Sequence, residues 1–126
     1  MEKIALSNAE HYIMRQFWDK GTMSHEELTK LVQDKSWKRT TLHSFLSRLA
    51  KKGLLKIEKQ GQINLFVPIV SLDEYQRSVG SQFLNEQFQG SAKNFFVSMA
   101  ENKGLTKNDL DEIREWLITM EEEDDR

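Results

Sequence analysis

Cysteine is absent from the 126-residue chain, which excludes disulfides, thiolate metal sites and thiol redox switches. No apolar run approaches the roughly 18 residues that a membrane span needs. The opening MEKIALSNAEH lacks the charged-then-apolar pattern of a signal peptide. A cytoplasmic location without direct membrane insertion is therefore expected. Gly-rich phosphate loops, a nucleophile elbow and paired catalytic carboxylates are all missing. The three histidines, His11, His25 and His43, are dispersed, and none forms the i,i+4 pair of a helical zinc site. They are expected at the surface, with no metal, no cofactor and no catalysis.

The most telling lack is local. Between Asp34 and Glu58 there is no acidic residue, while Lys35, Lys38, Arg39, Arg48, Lys51, Lys52 and Lys56 all occur. Residues 1–70 hold twelve Lys/Arg against seven Asp/Glu, and residues 71–126 hold six against thirteen. The formal net charge of −2 hides this division. Only the basic half is suited to face a polyanion. Hydrophobic residues at 38% and charged residues at 30% suit a globular protein of one domain or two small lobes.

Ser7 with Glu10, Ser24 with Glu27 and Ser71 with Glu74 each have capping-box spacing at a helix start. The first helix is expected to stop at Lys20-Gly21 and to turn Ala9, Tyr12, Ile13, Phe17 and Trp18 inward. The second is short, with Leu28, Leu31 and Val32 inward, and frays near Asp34. In the third, KRTTLHSFLSRLAKKG, Leu42, Phe45, Leu46 and Leu49 form one apolar stripe. Its other face carries Lys38, Arg39, Thr40, Thr41, Ser44, Arg48, Lys51 and Lys52 and not one carboxylate. Solvated helix faces usually mix signs, because like charges at i,i+4 weaken a helix.

LLKIEKQGQINLFVPI then alternates with period two on both sides of Gln60-Gly61-Gln62. A hairpin is expected, with Leu55 and Ile57 on one strand and Ile63, Leu65 and Val67 on the other as the apolar positions, closed by Pro68. Three helices and a hairpin in this order make a winged helix-turn-helix. From Ser71 the pattern is helical. One helix breaks at Gln89-Gly90, a second runs from Ser91 to about Gly104, and a last one follows Thr106, with EEEDDR as a solvated tail.

The fold class expected is mainly α with a small β-hairpin wing, divided into a winged-helix DNA-binding domain (1–70) and a helical dimerisation domain (71–126). Short hydroxyls among Arg and Lys let a backbone approach phosphates and base edges, so the third-helix face is expected to enter a major groove of double-stranded DNA, with Lys56 and Lys59 of the wing at the backbone. The alternative is a solvated basic face on a protein-interaction module. The second half exposes Phe83, Leu84, Phe88, Phe95, Phe96, Met99, Ile113, Trp116 and Leu117 to too small a core. A two-fold homodimer would cover them; folding back onto the winged domain would too.

LSNAEHYIMRQFWDKG, WKRTTLHSFLSRLAKKGLL, FVPIVSLDEYQ and GLTKNDLDEIREWL together resemble the penicillinase and methicillin-resistance repressor family, which also contains copper-responsive repressors. The resemblance runs from about Leu6 to Leu117. It implies a dimeric repressor of a palindromic operator, with contacts at Lys38, Thr40, Thr41, Ser44 and Arg48, that controls a β-lactam-resistance or cell-envelope-stress operon. The family often has Ser-Pro-Lys-Thr where this chain has Lys38-Arg39-Thr40-Thr41; Thr41 and Arg48 match directly. The copper branch is disfavoured, since its paired Cys-x-Cys motifs have no counterpart. In the β-lactam-responsive branch a membrane sensor-protease pathway leads to cleavage of an Asn-Phe bond in the second C-terminal helix. Gapless alignment from Leu105 puts that bond at Ser98-Met99, and an Asn94-Phe95 pair lies one turn earlier. A family member answering a different signal is the other expectation.

Overall fold

A computed structural model describes residues 4–124. The chain forms two compact units, residues 1–80 and 81–126. In the first, α1 (Asn8–Lys20) starts at a complete capping box. The Ser7 hydroxyl accepts from the Glu10 N–H at 3.1 Å, and the Glu10 carboxylate accepts from the Ser7 N–H at 3.0 Å. A two-residue strand, β1 (Met23–Ser24), leads into α2 (His25–Leu31), which opens on the Ser24–Glu27 box. A short 3-10 turn follows at Gln33–Lys35, then α3 (Arg39–Lys51), β2 (Leu55–Gln60) and β3 (Ile63–Pro68). Gly61, at φ +62°, opens the two-residue hairpin loop between them, the place where that turn demands a glycine.

The sheet is antiparallel in the order β1-β3-β2. β1 was not expected, because two residues cannot display a period. It also sets the facing of β3. Met23 pairs with Phe66 on one side and Ile57 pairs with it on the other, so Phe66 points into the core and is 4% exposed. The expected apolar set of Ile63, Leu65 and Val67 is thus on the opposite face, and Ile63 is exposed, as is Ile57. β3 carries apolar residues on both faces, and a one-residue change of phase exchanges them.

Phe17, Ile13, Met14, Leu28, Leu42, Leu46, Leu49 and Leu55 are fully buried. Met14 widens the α1 stripe beyond the sequence pattern. Leu31, expected inside, is exposed, because α2 ends there and Val32 takes the inward place. The first turns of α4 (Leu72–Phe88) belong to this unit. Tyr75 is buried with its ring 5.1 Å from Trp18, whose indole N–H donates to the Val70 carbonyl at 3.0 Å.

The second unit comprises the rest of α4, then α5 (Ala92–Glu101) and α6 (Lys107–Asp124). Ser91 caps α5, and Thr106 with Asp109 forms a box at α6. Phe83, Phe88 and Phe95 pack ring to ring at 5.5–5.8 Å. Residues 121–124, expected as tail, continue α6 while remaining exposed; the last two residues lie outside the described part. Among the described residues of this unit none is buried. No helix among the described residues is long and apolar enough to cross a membrane.

Candidate nucleic-acid interface

Trp37 sets the start of α3. Half-buried, its ring stands 6.1 Å from Tyr12 and 5.2 Å from Phe45. Lys38 follows as N-cap in an extended conformation, with no side-chain cap bond. Along the outer face Lys38, Arg39, Thr40, Ser44 and Arg48 are exposed and Thr41 is half-buried. The Ser44 hydroxyl donates to the Thr40 carbonyl at 3.0 Å, and the Arg48 guanidinium lies 5.8 Å from the centre of the Phe45 ring. Such a contact holds a long side chain while keeping its donors outward.

Beside this face lies a groove of about 660 Å³, bounded by α2, α3 and the hairpin. Arg39, Thr40 and Ser44 line it from α3, and Gln62, Ile63 and Asn64 line it from the hairpin. His25 and His43, expected as unrelated surface histidines, both line it as well. Burial lowers the pKa of His25 most; the Arg39 guanidinium lowers it further, its backbone offsets part of this, and His43 adds to the fall.

The basic residues divide by partner. Lys52, expected on the outer face, instead turns to α1: its ammonium lies 2.9 and 2.8 Å from the two carboxylate oxygens of Glu10 and donates to the Ala5 carbonyl at 2.8 Å. Lys52 is the C-cap residue of α3, just past its last helical residue. Glu10 is itself buried. Burial raises its pKa, but bonds from Lys52 and Ser7 outweigh this and hold it below the usual carboxylate range. Lys56 pairs with Glu58 at 2.9 Å on the exposed wing. Lys38, Arg39, Arg48, Lys51 and Lys59 have no carboxylate partner among the described residues.

The C-terminal candidates fall in two groups. Phe83, Leu84, Phe88, Phe95, Phe96 and Met99 belong to α4 and α5, where Phe83 and Phe96 remain exposed. Ile113 and Leu117 line a shallow groove on α6 with Leu110 and Ile118, and Trp116 is 60% exposed. Both candidate scissile bonds, Ser98-Met99 and Asn94-Phe95, are inside α5. No group of three or more His, Cys, Asp or Glu among the described residues is arranged to hold a metal.

A family model described as penicillinase repressor matches residues 6–119. A penicillinase repressor of Bacillus licheniformis is 28% identical over 115 residues, covering 90% of each chain. The solution structure of the DNA-binding domain of the repressor BlaI shares 31% identity at a TM-score of 0.52, over 60% of this chain and 94% of that one. A second, the Bacillus licheniformis BlaI monomeric form in complex with the blaP half-operator, shares 28% identity at 0.51, with the same coverage.

Proposed function

The chain belongs to the penicillinase repressor family, a family of DNA-binding transcriptional repressors and not of enzymes, and on that premise we propose that it acts in the cytoplasm as a homodimer on a palindromic operator. The carboxylate-free face of α3 carries this reading. Lys38, Arg39, Thr40, Thr41, Ser44 and Arg48 meet the major groove, and Lys56 and Lys59 meet the backbone from the wing. That a relative of the same winged fold binds a half-operator supports the pairing of one unit with one half-site. The helices after Gly80 join two subunits. The regulated operon serves β-lactam resistance or cell-envelope stress, and a membrane sensor-protease pathway relieves repression by cutting α5 at Ser98-Met99 or Asn94-Phe95. Such a cut requires α5 to open locally, since a packed helix does not fit a protease site.

Salt tests the first part. Each phosphate neutralised contributes about −0.9 to the slope of log K against log salt. With Lys38, Arg39, Arg48, Lys51, Lys56 and Lys59 engaged, and Lys52 held by Glu10, the slope reaches about −5 per subunit. A flat response between low and physiological salt sinks the DNA reading. Arg48→Ala should cost roughly 1–3 kcal/mol and relax preference at one base pair, if its guanidinium reads a guanine edge. Selection from randomised duplexes measures this; an unchanged base profile leaves Arg48 as a phosphate contact only.

A further inference from the structure

The groove between α3 and the wing holds two of the chain's three histidines in different settings. His43 is exposed. His25 lies behind it, its Nε2 buried without a well-formed hydrogen bond and its Nδ1 3.3 Å from the Thr29 hydroxyl. From α3 this pair is faced by the Arg39 guanidinium, and from α2 by Glu26, the one carboxylate on the rim. The wing contributes Gln62, Ile63 and Asn64, none of them ionisable.

We propose that this groove is a proton-linked seat for a backbone phosphate: His43 meets the phosphate at the surface, His25 charges behind it, and DNA binding takes up protons. The inference rests on the DNA-binding reading. In the protein alone, burial first and then the positive charge of Arg39 disfavour a cation at His25, and both lower its pKa. A phosphate within about 4–6 Å reverses that balance, since an opposite charge at this range favours the protonated form by about 1–3 pKa units. The bound state then holds more protons than the free one. Affinity must therefore rise as pH falls through the ordinary imidazole range near 6.5.

The probe is a short mixed-sequence duplex at low, fixed ionic strength, because phosphate contacts do not depend on sequence. The full chain should bind it about three- to tenfold more tightly at pH 6 than at pH 8, and calorimetry in buffers of different ionisation enthalpy should register proton uptake. His43→Gln, an exposed substitution, should flatten the pH profile and reduce the uptake; His25→Gln should reduce it too, with helicity checked by circular dichroism. A flat profile for the unaltered protein, or a steep one that His43→Gln leaves intact, overturns the proposal while binding at pH 8 still upholds the DNA reading. Absence of binding at every pH overturns both.

Discussion

Ending the chain after Gly80 is expected to weaken binding to a full palindromic duplex by about 10²–10⁴-fold while leaving the winged unit folded. The loss is one of effective concentration: with two heads joined, the second binds from a short tether instead of from solution. Two features motivate it. The described part of the second unit contains no buried residue, yet Trp116, Leu117, Ile118 and Phe83 are all exposed apolar side chains of this small unit. Exposed apolar area of that kind usually marks a contact with another surface. The cut must come after Gly80, because Tyr75 is buried against Trp18 and an earlier end would open the first unit. Sedimentation and titration with a duplex selected by the full chain check both halves. A full-length protein that sediments as a monomer at micromolar concentration would defeat the dimer, as would a shortened one that binds equally well.

Lys52→Ala should be the most damaging surface-side change in the winged unit. It leaves the Glu10 carboxylate, 3% exposed, without its cation. Removing one partner of a buried pair typically costs 3–5 kcal/mol. Lys52 is itself partly exposed, so the low end, about 3 kcal/mol, is expected, or roughly 12–24 °C in Tm for a domain of this size. Combining Lys52→Met with Glu10→Gln should recover much of the loss, since no uncompensated charge remains. The acid response follows from the lowered Glu10 pKa. Its stabilisation is complete above the unfolded carboxylate value near 4.3 and disappears as pH falls through the lower folded value. Glu10→Gln should therefore flatten the acid limb below about pH 5. Equal losses from Lys52→Ala at neutral pH and at pH well below that limb would show that packing, and not the ion pair, carries the effect.

Local signals were fully legible in the sequence. Each capping box at Ser7, Ser24 and Ser71 closes as its spacing implies, because N-cap and N3 are fixed by a single turn of helix. The break at Gln89-Gly90 and the cap at Ser91 were readable for the same reason. Long-range choices were not. The facing of Phe66 depends on Met23, which meets it only after two helices and a strand intervene. Lys52 and Glu10 are 42 positions apart, and no pattern within either helix announces their pairing. The carboxylate-free face of α3, proposed to meet DNA, was visible because a run without carboxylates is a property of composition. The histidine groove was invisible because His25 and His43 are brought together by the α2–α3 turn and roofed by a hairpin twenty residues later.

The sheet order leaves β2 at an edge, with one side of its backbone unpaired. An exposed edge of six residues invites another chain to add a strand. β1, at the other edge, is only two residues long and offers little to join. On β2 it is Lys56, Glu58 and Lys59 that discourage such pairing, because a recruited strand would have to desolvate them. The wing lysines therefore have a second expected consequence beyond the proposed DNA contact: they guard the edge of β2 against strand addition. Replacing both with threonine would raise strand propensity and remove the charge together, and the expected result is light scattering from ordered aggregates before any change in melting temperature.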